Sequence, residues 1–123
     1  QCNSQQIQQV LLNILTNARH ALDEKYEGFN DDKLVRISAR PVEVGGKPMV
    51  RISIEDHGVG ITSEIRERIF DPFFTTKDRG DGTGLGLSVS YGIVKDHKGH
   101  LTVESEPGIW TRFDIDLPTA GGN

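Results

Sequence analysis

Ile7, Val10, Leu11, Ile14, Leu15, Ala18, Ala21 and Leu22 recur at intervals of one, three and four, which gathers them on one face of a helix running from Ser4 to about Glu24. Asn3 and Ser4 supply capping oxygens at its start. The opposite stripe carries Gln6, Gln9, Asn13, Asn17 and His20 with no charge before Arg19, so this face is suited to a partner rather than to water alone. Gly28 and Asn30-Asp31-Asp32 end the helical pattern. Leu34 to Val42 and Pro48 to Glu55 then alternate as two strands of a hairpin about Gly45-Gly46. Thr62 opens a short helix from Ser63 to Ile69, with Glu64 in its first turn, and Pro72 closes that region. Residues 75–84 are rich in Gly, Asp and Thr, which predicts a mobile surface loop. A third helix starts near Gly86 and runs through Val89, Ile93 and Val94 to about His97, with Gly99 as its stop. Leu101 to Ser105 and Thr111 to Leu117 form two more strands about the Pro107-Gly108 turn, and Gly121-Gly122-Asn123 reads as a frayed tail. Helices and strands come in blocks, with no internal repeat, which predicts an α+β fold of helices on a largely antiparallel sheet.

Composition narrows the function classes. The 123 residues fit one domain, 1–123, and the 35% hydrophobic and 26% charged content is that of an ordinary globular protein. A formal charge of −4 argues against a general nucleic-acid binder, so no nucleic-acid partner is expected and any anionic ligand must be neutralised locally. No apolar run is long enough to cross a bilayer, so no membrane contact by this domain is expected. With Cys2 as the single cysteine, no internal disulfide forms and a cytoplasmic location is the expectation. The chain opens on Gln1 without a signal-peptide pattern, so it is expected to be a piece of a longer protein, whose membrane anchoring is left open.

The chemistry concentrates between Asp56 and Leu87. Asp56 falls where a strand ends and a glycine turn begins, a place where a carboxylate can accept a hydrogen bond from the exocyclic amine of adenine. Gly58 and Gly60 then let the backbone lie against a planar base. A plain strand-end Asp-x-Gly turn accounts for the same residues. Gly82, Gly84 and Gly86 stand two apart before a helix, so backbone N–H groups can cradle phosphate oxygens with help from the helix dipole. The alternative is a flexible linker, but a linker has no reason to interleave Leu85 and Leu87 with glycines. The Gly-Lys-Ser/Thr ending of a P-loop is absent, and no strand leads into the glycines as a dinucleotide fingerprint requires. Asn13 and Asn17 share a helical face, and a carboxamide oxygen can ligate Mg²⁺; ordinary surface amides look the same in sequence. Lys77 and Arg79 are placed to balance phosphate charge or to be solvated loop cations. His20, one turn beyond Asn17, either reaches phosphate or is a half-exposed helix histidine, and His97 and His100 have no cysteine pair nearby to complete a metal site.

In this order, these blocks resemble the GHKL superfamily, and most closely the catalytic ATP-binding domain of bacterial sensor histidine kinases. The likeness spans nearly the whole chain. Residues 9–18 (Gln-Val-Leu-Leu-Asn-Ile-Leu-Thr-Asn-Ala) are similar to the N box, Asp56 to Gly60 to the G1 box, Ile69 to Lys77 with Phe70 to the F box, and Gly82 to Leu87 to the G2 box. The resemblance implies a two-layer α/β sandwich of the Bergerat type: a mixed, mostly antiparallel sheet covered on one face by three helices, with a lid from about Asp71 to Gly84.

By the same resemblance, ATP and Mg²⁺ are the ligands. Asn17 would hold Mg²⁺, Asn13 would be a second polar contact near the phosphates, and Asp56 would hold the adenine amine. Thr111 stands where the family's threonine shares a water with that aspartate and the base. Ala18, Ile61, Ile69 and Leu87 would wall the purine, Lys77 would meet the terminal phosphate, and the G2 run with Thr83, Leu85 and Gly86 would offer donors. The implied activity is donation of the γ-phosphoryl group to a histidine on a separate dimerisation domain, followed by a response regulator receiver domain. None of His20, His57, His97 or His100 is followed by an acidic residue as that acceptor is, so the acceptor is expected outside this chain and autophosphorylation is not expected within it. Two other classes compete: an ATP-hydrolysing member, which would need a Glu where Asn13 stands, and a degenerate nucleotide sensor. Three departures from the family pattern are the Trp110 of Gly108-Ile109-Trp110-Thr111, the Lys98 of His97-Lys98-Gly99, and Asn3 as the leading cap.

Overall fold

Helix α1 spans Ser4–Lys25 and buries Val10, Ile14, Ala18 and Leu22, a stripe repeating every fourth residue. In the computed structural model, residues 4–28, 30, 33–70 and 83–119 are described, with 83–86 described for their backbone only. The remaining elements are β1 (Val35–Val44), β2 (Lys47–Asp56), α2 (Ser63–Arg68), α3 (Thr83–Asp96), β3 (His100–Glu106) and β4 (Trp110–Pro118). The first hairpin turns on Gly45 and Gly46 at φ 57° and 81°, left-handed values at both positions that glycine adopts without penalty.

The strands form one four-stranded sheet in the order β1-β2-β4-β3, antiparallel at every pairing among the described residues. The register stacks Ile37, Ile54, Phe113 and Val103 in one row and Ala39, Ile52, Ile115 and Leu101 in the next, all on the helix-facing side. Helices α1 and α3 pack on each other and on this face, α1 against β2 and α3 against β3. The core therefore lies between the α1–α3 pair and strands β2, β4 and β3, with Val10, Ile14, Ile54, Leu87, Val94, Phe113 and Ile115 at its centre. Ile37 belongs to the same face yet is 57% exposed, because β1 is an edge strand beyond the elements that α1 and α3 touch.

The opposite face of the sheet is polar, as the strand alternation requires. Arg51 forks onto Asp116 with bonds of 2.8 and 2.9 Å, and Ser53 donates to Asp114 at 2.6 Å.

The expected two-layer α+β fold stands, with shifts at the element ends. The start of α3 is Thr83 rather than Gly86, so Thr83 and Gly84, read in sequence as loop, lie in the first helical turn. At the other end the left-handed residue is Lys98, φ 63°, and not Gly99. The Gly99 N–H bonds the Val94 carbonyl at 2.9 Å and the Lys98 N–H bonds that of Lys95 at 2.9 Å, a helix stop that closes the last carbonyls. Gly99 is needed for a different reason: a Cβ there would strike the Asp116 carbonyl.

Candidate functional site

At one end of the sheet the helix-facing side changes from apolar to polar. The next row of the register is Val35, Asp56, Thr111 and Ser105. Asp56 ends β2 and is 3% exposed. One carboxylate oxygen accepts the Gly58 N–H at 2.9 Å, which folds the chain back into a tight turn. That is its one hydrogen bond among the described residues. Burial pushes the Asp56 carboxyl up to about 6; the Gly58 N–H, His57 and Lys25 act in the opposite direction, and Glu55 adds to the rise. The second carboxylate oxygen keeps its capacity to accept a hydrogen bond.

The glycine turn after Asp56 is wedged between two elements. At Gly58 an added Cβ would lie 2.6 Å from the Ala21 carbonyl carbon and 2.7 Å from the Ala21 Cβ. At Gly60, φ 74°, it would lie 2.5 Å from the Glu106 carbonyl and 2.8 Å from the Gly108 nitrogen. The glycines were expected to clear room for a base. The structure shows a packing task for them, since the space lacking a side chain is filled at Gly58 by α1 and at Gly60 by the β3–β4 turn. The same seam is closed by the Gly108 N–H on the Val59 carbonyl at 2.6 Å and by Lys25 Nζ on the Gly108 carbonyl at 2.8 Å.

Asn17 and Asn13 lie on α1, both half-buried. Asn17 Nδ2 donates to the Asn13 carbonyl one turn back at 2.9 Å, a bond that engages the nitrogen and not the carboxamide oxygen. Asn13 is engaged at both ends: Oδ1 accepts from Gln9 at 2.8 Å and Nδ2 donates to Ser90 on α3 at 3.0 Å. Part of the amide-lined face expected to meet a partner thus binds α3 of the same chain. His20 is half-buried one turn further along, and Ala18 is buried. Among the expected apolar walls, Ile69 and Leu87 are core residues and Ile61 packs against the core. Phe70 stacks on Tyr91 with centroids 5.1 Å apart and meets Phe113 edge-on at 6.4 Å, so its ring is joined to the core.

Over residues 2–121 the sequence matches the family described as histidine kinase-, DNA gyrase B- and HSP90-like ATPases. The chain belongs to that family. It is 40% identical over 117 residues to sporulation kinase E of Bacillus subtilis (strain 168), covering 95% of this chain and 14% of the relative. It is 40% identical over 117 residues to sensor kinase CckA of Brucella abortus (strain 2308), covering 92% and 12%, and 41% identical over 112 residues to signal transduction histidine-protein kinase AtoS of Escherichia coli (strain K12), covering 91% and 16%. The chain therefore spans well under a quarter of the length of these relatives. It is an ATP-binding domain of the sensor histidine kinase type, and among its described residues no helix is long and apolar enough to cross a membrane.

Thr83, Gly84, Leu85 and Gly86 form the first turn of α3, whose N–H groups have no partner within the helix. Lys77 and Gly82, with most of the expected lid, lie outside the described residues. Trp110, the departure from the family's glycine, sits on the polar face of the sheet with the Arg112 guanidinium 5.7 Å from its ring. Its alternation carries the indole away from Asp56, so the bulk does not crowd that side. Two contributors were missed in the sequence. Ser90 carries no pattern that marks it, whereas Ser105 interrupts the alternation of Leu101 and Val103 on the apolar face, a signal that could have been read.

Proposed function

We propose that this chain binds Mg²⁺·ATP and presents the γ-phosphoryl group to a histidine on a separate helical dimerisation domain, from which the phosphoryl group passes to a response regulator receiver. The observation that carries the reading is the buried Asp56, with one oxygen fixed by Gly58 and the other available to an exocyclic amine. The kinase names of the relatives support the direction of transfer.

Asp56 would orient the purine, and Thr111 beside it would bear on the same edge. The donor set on α1 fits a hard cation: the Asn17 oxygen is free to ligate because its nitrogen is held by the Asn13 carbonyl. Held by Asn17, such a cation would supply neutralisation of the phosphate charge. The N–H groups of the first turn of α3 would receive the phosphates. Lys77, by family resemblance, would meet the terminal phosphate. Asn13 cannot act as a general base, and both ends of its amide are engaged by Gln9 and Ser90, so nothing at that position activates water. Transfer is favoured over hydrolysis for that reason.

The test is a titration of the isolated chain with ATP by calorimetry, with and without Mg²⁺, followed by mixing with a dimerisation domain that carries the acceptor histidine. A dissociation constant on the order of micromolar is expected. Asn17→Ala should lose the Mg²⁺-dependent part of the affinity, and label from γ-labelled ATP should appear on the added domain and not on this chain. Absence of ATP-dependent heat, or strong self-labelling of the isolated chain, would sink the reading.

A further inference from the structure

We propose that Ser105 sets the purine specificity of the site by fixing which way the Thr111 hydroxyl points, so that Thr111 and Asp56 together present hydrogen-bond acceptors to a 6-aminopurine nucleotide. The inference rests on the ATP-binding reading and names what enforces its choice of base. Ser105 Oγ accepts the Ile61 N–H at 2.7 Å, donates to the Trp110 carbonyl at 2.7 Å, and lies 3.1 Å from Thr111 Oγ1. A hydroxyl has one proton and two lone pairs. The Ser105 proton is directed to Trp110, and one lone pair is taken by Ile61. The remaining lone pair can only accept, so in the Ser105–Thr111 bond Thr111 is the donor.

That assignment has a consequence on the other side of Thr111. With its proton turned toward Ser105 on β3, the Thr111 oxygen offers only lone pairs toward Asp56, its ladder partner on β2. Thr111 is 3% exposed, and Ser105 is its one hydrogen-bond partner among the described residues, so the hydroxyl is not free to reorient into water. Two acceptors side by side suit the N–H groups of an exocyclic amine, directly or through one water. They oppose the carbonyl that inosine carries at the same ring position. An unfixed Thr111 hydroxyl would turn its proton to that carbonyl and lose the distinction.

ATP and ITP differ at this edge of the base alone, so the ratio of their affinities isolates the effect. Calorimetric titrations with each nucleotide should show wild type preferring ATP, and Ser105→Ala should reduce that preference about tenfold, the scale of one hydrogen bond. A merely structural role would weaken both nucleotides alike and leave the ratio unmoved. Thr111→Val should lower the preference by itself, and Ser105→Ala should then have no further effect on it. An unchanged ratio in Ser105→Ala, or a full Ser105 effect in the Thr111→Val background, overturns the proposal. If Ser105→Ala does not fold by circular dichroism, Thr111→Val decides, and an unchanged ratio there overturns it. Wild-type chain that binds no ATP refutes the ATP-binding reading itself, whereas wild type that prefers ATP while Ser105→Ala keeps the preference refutes only the role of Ser105.

Discussion

Asn13 on α1 donates to the Ser90 hydroxyl on α3 at 3.0 Å, across 77 positions of chain. Ser90 is fully buried, so the bond lies inside the helix pair that covers the sheet, and it holds the α1 turn that carries Asn17. Ser90→Ala leaves the Asn13 amide short of an acceptor and is expected to cost about 1–3 kcal/mol of stability. Thermal melting checks the loss. Because the seam positions Asn17, Mg²⁺·ATP affinity should fall with it, and a melting temperature equal to wild type would show that the bond contributes nothing.

Asp56 is expected to make stability and binding respond to pH in opposite directions. Its carboxyl is pushed up to about 6 from an ordinary 3.8, chiefly by burial, so the folded chain holds the proton more tightly than the unfolded chain. The stability this contributes is complete below the ordinary value and is lost as pH rises through about 6. Asp56→Asn does not titrate, so its stability should gain on wild type as pH is raised through that window, as denaturant unfolding at a series of pH values will measure. If Asp56 accepts the adenine amine as proposed, ATP binding uses the ionised carboxylate and should weaken as pH falls through about 6 in wild type. Parallel pH profiles of stability for the two proteins would remove the basis for this assignment.

Gly58 has no room for a side chain. A Cβ would stand 2.6–2.7 Å from Ala21 backbone and side-chain atoms, and helix backbone cannot step aside as a flexible side chain can. Gly58→Ala is expected to cost about 1–3 kcal/mol through overpacking. The strain would also shift the turn that fixes Asp56, so ATP affinity should drop together with melting temperature. Wild-type values for both would mean that the turn does not press on α1 as described.

Lys98 offers a change in the favourable direction. It takes a left-handed φ of 63° at the end of α3, where a Cβ is unfavourable. Lys98→Gly relieves that strain against a greater loss of chain entropy and is expected to stabilise by about 0.5–1 kcal/mol. ATP affinity should not change, since Lys98 lies beyond the C-terminal end of α3, opposite the first turn proposed to receive the phosphates. A lower melting temperature would show that the lysine makes a contact worth more than the strain.

Much of the site is legible because it violates a pattern. Asp56, Thr111 and Ser105 each extend an apolar alternation, Ile52-Ile54, Phe113-Ile115 and Leu101-Val103, with a polar residue at the same end of the sheet. Asp56 and Thr111 could be singled out, but their adjacency depends on the order β1-β2-β4-β3, which places the last strand between the second and third. The purpose of the glycines was harder to read. Sequence shows that Gly58 and Gly60 lack side chains but not what occupies the vacated space, and the occupants, Ala21 and the Glu106–Gly108 turn, are distant in the chain.

Local rules of spacing and turn chemistry thus set the helices, the strands and the Gly45-Gly46 hairpin, because those depend on residues within a few positions of one another, and family resemblance picked out the four motif blocks. Tertiary structure alone decided that Ser105 meets Thr111, that Asn13 binds Ser90, and that Lys98 rather than Gly99 turns left-handed. Each of these follows from hydrogen-bond and steric demands met by partners brought together only when the sheet and its helices close on one another, and no periodicity along the chain encodes them.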